Sequence, residues 1–207
     1  MGDTPDLPLI TDRLGEDFEI MATSYKPYPC GFVIHPVLDC VLDWRREHSA
    51  TEVTRVVVRG NPLLAHRTDR PDVSTGRESQ VSVQHAVAAA LVFGAAGLEQ
   101  FTDACVSDPR VQALRQKVEV QRDEAFSTIA ASVEITTVDG KTHQLAQSAA
   151  RGSDVNPMSD RDLEQKLRTA AARWNGEHDV KPLIDAIWSL DESADFSRLA
   201  ALAVPRA

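Results

Sequence analysis

The pattern that most restricts the fold is an alternation of apolar and polar residues on both sides of a tight-turn dipeptide. The stretch ASVEITTVDGKTHQLAQS, residues 131–148, places two alternating runs around Asp139-Gly140. Alternation with a period of two is typical of a half-buried strand, and Asp-Gly is favoured in two-residue hairpin turns. These residues therefore predict an antiparallel hairpin.

Two further segments extend the predicted sheet, and helices accompany it. TEVTRVVVRG, residues 51–60, is rich in β-branched residues, and VEVQRD, residues 118–123, has a similar pattern. Together with the hairpin they give about four strands. The alanine-rich stretch VSVQHAVAAALVFGAAG predicts a buried helix that Gly94 or Gly97 ends. The fold class expected from these elements is α+β.

Proline governs the segment that precedes the first long helix. The run YKPYPCGFVIHPVLD, residues 25–39, contains three prolines that fix φ repeatedly and prevent a helix. Pro36 can then occupy the first turn of a helix, because that turn needs no N–H from it. Residues 60–80 are polar and rich in Arg, Asp, Gly and Pro, which predicts a loop. Residues 1–24 predict an extended lead-in.

A shift in composition near the sequence GSDVNP divides the chain into two parts. We expect a lead-in over residues 1–26, an α+β domain over 27–150 and a helical segment over 151–207. Ser159, followed by Asp162, resembles a capping box at the start of the first helix of that segment. The short tail helices would bury little apolar surface alone. They are therefore expected to pack on the α+β domain or on another helical layer, from another chain or from a missing segment.

Charge and cysteine content limit the classes of partner and compartment. The formal net charge is −9, which disfavours nucleic acid and anionic membranes but not a small anion held by local cations. The longest low-charge run, about 13 residues, is shorter than a bilayer requires. The three cysteines have no CxxC spacing, so neither a disulfide framework nor a metal site is expected. The N-terminus lacks an apolar signal region, and a cytoplasmic location is predicted.

No common phosphate-binding, zinc-protease or hydrolase motif occurs in the sequence, and the candidate functional residues are scattered along it. Lys26, in the stiff proline loop, is either a carboxylate-binding cation or a surface lysine. His35 either binds substrate or hydrogen-bonds the loop beside its helix. His85, near the start of the alanine-rich helix, is either a neutral proton-transfer group or a satisfied core histidine. Arg77, in a glycine-bearing loop, is either a carboxylate clamp or solvated.

Three ordered stretches resemble one known family. YKPYPCGFVIHPVLDCVLD, SVQHAVAAALVFGAAGLEQFTD and TVDGK followed by ARGSDVNPMSDRDLEQKLR are similar to the C-terminal part of the MmgE/PrpD family. That family includes 2-methylcitrate dehydratase, cis-aconitate decarboxylase and iminodisuccinate epimerase. The resemblance extends from about residue 12 to the end. It implies a small α+β domain followed by helices of an all-helical domain that is largely absent from this chain.

The resemblance also implies roles for the candidate residues. Lys26 matches the lysine of a KPYP motif in the family's active-site cleft, and His35 matches a histidine near the same pocket. His85 falls where several members carry a tyrosine that touches substrate. Lys26, His85 and His35 are accordingly the expected catalytic residues. Tyr25, Lys26 and Arg77 are the expected substrate-binding residues, with no metal and no cofactor.

Two main hypotheses follow for the function. The first is the C-terminal part of a cofactor-independent lyase, either a hydro-lyase or a decarboxylase, or of an isomerase. Its substrate is a small di- or tricarboxylic acid, from which a base removes a proton next to a carboxylate. This hypothesis needs the N-terminal half as a separate subunit. The expected assembly is a homo-oligomer such as a dimer, or a complex with that missing half. The second is a catalytically inactive, truncated member that acts as an oligomerisation or binding module. A weaker third is a protein that holds a carboxylate without turnover.

Overall fold

A computed structural model describes residues 7–174, 176 and 178–204. The chain divides into two compact units, one ending at Pro157 and the other beginning at Met158. The first unit is an α+β domain built on one four-stranded sheet, as the sequence predicts. The strands are β1 (Val53–Gly60), β2 (Val118–Arg122), β3 (Ala131–Thr137) and β4 (Thr142–Gln147).

The sheet has the order β2-β1-β3-β4 and is mixed in direction. β1 runs parallel to β2 and antiparallel to β3, so that Val56 lies opposite both Val118 and Ile135. β3 and β4 form the predicted hairpin, and Gly140 adopts a φ of +81° in its turn. The alternating sequence of β3 produces alternating burial, which places Ile135 and Val133 in the core.

Six helices accompany the sheet within the described part of this unit. Their bounds are α1 (His35–Arg45), α2 (Pro62–Thr68), α3 (Gly76–Ser79), α4 (Val83–Phe93), α5 (Asp103–Ser107) and α6 (Pro109–Arg115). α1 packs against α4 and against β3 and β4, and α4 also contacts β2. The alanine-rich sequence of α4 allows a close approach, because short side chains lie between the two backbones. α4 ends at Gly94, which adopts the left-handed conformation with a φ of +66°.

Two local predictions from sequence are wrong. Residues 60–80 are not a continuous loop, because α2 and α3 both lie within them. α2 begins after Asn61, whose side chain accepts the N–H of Leu63, and α3 begins after Thr75 with a capping box. The lead-in is not simply extended either, since short 3₁₀ helices occupy Leu7–Ile10 and Glu19–Ala22. Residues 1–6 lie outside the described part.

The second unit contains α7 (Asp160–Trp174), α8 (Lys181–Trp188) and α9 (Ser197–Leu202). The capping interaction predicted at its start is present, because the Ser159 hydroxyl donates to Asp162 Oδ2 at 2.8 Å and accepts the Asp162 N–H. Several large apolar side chains of the unit are exposed, among them Trp174 and Phe196. None of the helices formed by the described residues is both long and apolar enough to cross a bilayer.

Two glycines of the first unit test whether backbone strain or steric overlap costs more stability. Gly76→Ala would place a Cβ 2.5 Å from the carbonyl oxygen of Phe101, whereas Gly140→Ala meets no atom within 4 Å but must adopt the positive φ. We expect Gly76→Ala to lower the free energy of unfolding by about 3 kcal/mol. Gly140→Ala should lower it by about 1 kcal/mol. Urea unfolding followed by circular dichroism measures both values, and equal losses would contradict this assignment.

Candidate functional site

The proline loop before α1 presents two of the predicted residues at the surface. The Tyr25 and Lys26 side chains are exposed, and Lys26 Nζ donates a hydrogen bond to the carbonyl oxygen of Cys30 at 3.4 Å. An ammonium group has three N–H donors, so this bond leaves donors for an anion. Burial raises the pKa of the Cys30 thiol to about 12, although Lys26 opposes the shift. Cys30 is therefore a neutral thiol rather than a nucleophile at neutral pH.

A buried carboxylate on α1 ties this loop to a distant segment. Asp39 is only 7% exposed, and its Oδ1 accepts the hydroxyl of Tyr28 at 2.7 Å. Its Oδ2 accepts the backbone N–H of Arg151 at 2.9 Å. The pKa of the Tyr28 phenol is raised well above its ordinary value, mainly because the group is buried and also because the Asp39 carboxylate lies beside it. Tyr28 therefore remains protonated and acts as a hydrogen-bond donor.

The segment that follows Arg151 forms a backbone hydrogen bond to the same loop. The N–H of Tyr25 donates to the carbonyl oxygen of Gly152 at 2.7 Å. Gly152 has a φ of +89°, and a Cβ added there would overlap the carbonyl oxygen of Tyr25. Its N–H donates to the carbonyl oxygen of Asn156 at 2.7 Å. Only glycine fits this position, since it lacks the atom that would separate the two backbones.

His35 lies beneath the loop and not in an open cleft. It is the first residue of α1, is fully buried, and has the Tyr28 and Phe32 rings at centroid distances of 5.2 and 4.9 Å. The structure therefore brings His35 and the Lys26 loop together through Tyr28, but it places the imidazole inside the apolar core. A role in catalysis stays a prediction for this residue.

His85 is likewise buried, on the first turn of α4. Its backbone N–H donates to the Ser82 hydroxyl that caps the helix, and its ring Nε2 lies 2.7 Å from the carbonyl oxygen of Gln100. A carbonyl only accepts, so Nε2 carries the proton, and Nδ1 has no hydrogen-bond partner among the described residues. Burial lowers the pKa of this imidazole; the Gln100 contact opposes the shift and Arg115 reinforces it. Its proton-transfer role also stays a prediction.

Arg77 belongs to α3, and its side chain is exposed. The end of that helix touches the proline loop, because the N–H of Gly31 donates to the carbonyl oxygen of Gln80 at 2.9 Å. α3 therefore lies next to the loop that carries Lys26. No hydrogen bond or ion pair within the described ranges joins His85 to Lys26.

Asp39 and Tyr28 are the residues of this region that the sequence reasoning missed. The available signal was an acidic residue inside the apolar helical run HPVLDCVLD. A charge on a buried helix face requires hydrogen-bond partners, which marks such a position for attention. Asp43, one turn later in the same run, is exposed and pairs with Arg46 at 2.9 Å. The sequence pattern alone therefore does not distinguish the buried Asp39 from Asp43.

Two cavities formed by the described residues lie away from the predicted residues. One of about 310 Å³ lies at the turn end of the hairpin and is lined by His48, Glu52 and His143, among others. Another, of about 470 Å³, lies in the second unit beside α8. Neither is lined by Lys26, His35 or His85. Within the described ranges, no group of three or more His, Cys, Asp or Glu side chains is placed to hold a metal ion.

Comparison with known proteins identifies relatives of the chain. Residues 28–192 match the family model of the MmgE/PrpD C-terminal domain. The chain is 26% identical over 191 residues to cis-aconitate decarboxylase of Mus musculus and 25% identical over 189 residues to that of Homo sapiens. It is 23% identical over 209 residues to a cis-aconitate decarboxylase-like protein of Aspergillus oryzae.

These matches cover most of this chain but less than half of each relative. They take in 86% of this chain and 39% of the mouse and human proteins. For the Aspergillus protein the shares are 93% and 43%. Lys26 lies two residues before the region that the family model matches.

The buried His85 imidazole gives a prediction for the pH dependence of stability. The unfolded chain binds a proton there near the ordinary pKa of about 6.5, whereas burial lowers the pKa in the folded protein. As pH falls below about 6.5, the unfolded state gains protons that the folded state does not, so stability decreases by at most about 1.4 kcal/mol per pH unit.

Urea unfolding of the wild-type protein and of His85→Gln between pH 7.5 and 5.5 measures this contribution. We expect the wild-type free energy of unfolding to fall more steeply than that of the variant. Gln preserves a donor for the Gln100 carbonyl, and His66→Gln, on the exposed surface of α2, is the control for loss of an imidazole. Parallel slopes for the wild type and His85→Gln would disprove the assignment.

Proposed function

The chain belongs to the MmgE/PrpD family, and from this membership we propose that it is the C-terminal part of a cofactor-independent lyase or isomerase. The substrate class is a small di- or tricarboxylic acid. The support is the family match over residues 28–192 together with relatives that are cis-aconitate decarboxylases at low identity. The chain spans about two fifths of the length of those relatives. The proposal therefore includes groups from outside these residues that complete the site, supplied by a further segment, by a second polypeptide or by another copy of this chain.

The exposure and the fixed position of Lys26 link the proposal to a particular residue. Lys26 is an exposed cation on a loop held by the Asp39 carboxylate and by the backbone of Gly152. Because the backbone of this loop is already ordered, binding of a substrate carboxylate to Lys26 costs little additional backbone entropy. Tyr25 beside it and Arg77 on the adjoining α3 complete the proposed binding surface.

The proposed chemistry uses charge stabilisation next to a carboxylate. A base removes the proton α to a substrate carboxylate, or CO₂ departs, and either step leaves an electron pair on carbon. Lys26 stabilises the resulting charge through the adjacent carboxylate. After proton removal, departure of hydroxide with a proton as water gives the hydro-lyase product, and protonation on the opposite face gives the isomerase product. After departure of CO₂, protonation of the same carbon gives the decarboxylase product. His85 is the proposed proton-transfer group through Nδ1, and His35 the proposed orienting group. Both rings are buried, so their packing must open before they reach substrate.

Substitution of Lys26 tests the proposal at its exposed residue. A charge-assisted contact contributes about 1.5–3 kcal/mol, so Lys26→Ala should weaken binding of cis-aconitate about 10- to 100-fold. Lys141→Ala is the matched control, because Lys141 is an exposed lysine in the hairpin turn. Calorimetric titration measures binding, and proton NMR measures consumption of cis-aconitate and 2-methylcitrate. No binding and no turnover, with the chain alone and with a co-expressed partner polypeptide, would contradict the proposal.

A second function, an inactive oligomerisation module, is favoured by the exposed apolar side chains of the second unit. Trp174 is 69% exposed on α7, Phe196 is 65% exposed, and Trp188 is 51% exposed on α8. Exposed apolar surface of this kind favours association. Such a module would bind through these helices and would need none of the predicted catalytic residues.

Sedimentation velocity distinguishes this second function. We expect the wild-type chain to self-associate at micromolar concentration and Trp174→Gln to weaken that association at least fivefold. Val138→Thr is the matched control, since Val138 has the same 69% exposure but lies in the hairpin turn of the first unit. A monomeric wild-type chain, or equal association of both variants, would count against the module.

A further inference from the structure

Three contacts bracket Lys26, and two of them depend on one buried side chain. On the N-terminal side, the N–H of Tyr25 bonds to the carbonyl oxygen of Gly152. On the C-terminal side, the Tyr28 hydroxyl bonds to Asp39 Oδ1. Asp39 Oδ2 accepts the N–H of Arg151, the residue directly before Gly152. Asp39 therefore fixes both the segment that follows Lys26 and the segment that holds the backbone before it.

We infer that Asp39 is a positioning residue whose two carboxylate oxygens set the location of the Lys26 ammonium group. This inference deepens the proposed function and rests on it for the role of Lys26 as the substrate-carboxylate contact. Asp39 itself is buried beneath the loop and acts through Tyr28 and Arg151.

The chemistry of the two bonds explains why a carboxylate occupies this position. Both partners, a phenol O–H and a backbone N–H, are donors, and a carboxylate accepts on both oxygens. Hydrogen bonds to an ionised acceptor are shorter and stronger than neutral ones, especially when water is excluded. An amide of the same shape has only one oxygen, which can accept the Arg151 N–H while its NH₂ group faces the Tyr28 hydroxyl. Asn at position 39 therefore loses the charge-assisted bond that the Tyr28 O–H donates to Asp39 and replaces it with a weaker bond of the opposite direction.

The same helix provides a contrasting acidic residue. Asp43 lies one turn after Asp39 on α1 and is about half exposed. It forms an ion pair with Arg46, three residues later at the C-terminal end of the helix. Asp43 takes part in none of the three hydrogen bonds that bracket Lys26. Asp43→Asn therefore changes the same charge on the same helix without touching the bonds that bracket Lys26, which makes it the matched control for Asp39→Asn.

The test follows Lys26 directly. The chain contains five lysines, so reductive ¹³C-methylation gives five dimethyl-lysine NMR signals, and Lys26→Arg assigns the one of interest. We expect Asp39→Asn to shift the Lys26 signal and leave the other four in place, and to raise the dissociation constant for cis-aconitate about tenfold. Asp43→Asn should leave the Lys26 signal unchanged and the dissociation constant within twofold of wild type.

Amide hydrogen exchange provides a readout that needs no ligand. Protection of the Arg151 and Tyr25 N–H groups should fall in Asp39→Asn and not in Asp43→Asn. If Asp39→Asn does not fold, Tyr28→Phe removes one of the two bonds, and it should shift the Lys26 signal in the same direction by a smaller amount.

The outcomes separate this inference from the function on which it rests. An unmoved Lys26 signal in Asp39→Asn, with or without a loss of stability, overturns the positioning role. A shifted Lys26 signal supports the positioning role. If the wild type then binds no cis-aconitate, alone or with a co-expressed partner polypeptide, the proposed function is overturned while the positioning role stands. A shifted signal with a dissociation constant equal to that of wild type overturns the role of Lys26 as the substrate-carboxylate contact.

Discussion

The packing of α1 against α4 and against the sheet is the constraint on which the rest of the α+β unit depends. α1 buries eight of its eleven residues, and the alanines of α4 let the two helices approach closely. These contacts restrict rotation of α1, because a rotation would expose apolar surface and open voids. The direction in which Asp39 points is therefore set by the core, and through Asp39 so is the loop that carries Lys26.

Much of this architecture could be predicted from local sequence. The Asp139-Gly140 turn specifies the hairpin, and Gly94 ends the alanine-rich helix, because in each case a few adjacent residues have one favoured conformation. α2 and α3 were missed since their helical signal is only the caps at Asn61 and Thr75. A seven-residue and a four-residue helix have no apolar periodicity long enough to recognise.

The candidate site was less predictable than the fold. The loop containing Tyr25 and Lys26 was identified through family resemblance, and both side chains are exposed. Asp39 was not identified, because its partners Tyr28 and Arg151 lie on different segments, one of them 112 residues away. No local sequence pattern predicts a contact between segments so far apart. The sequence predicted that His35 and His85 each lie near the start of a helix. It did not predict how deeply their side chains are buried, because burial depends on segments that are distant in sequence.

The closure of Gly152 against Tyr25 has a consequence for the order in which the chain acquires its structure. Contacts between residues far apart in sequence carry a large loop-closure entropy and form slowly. During synthesis, the proline loop leaves the ribosome long before residues 151 and 152 are added, whereas the α1–α4 pair can associate earlier. The geometry around Lys26 is thus established only after the hairpin and the segment beyond it have been translated. A nascent chain can hold its helices in place while this surface is still unformed.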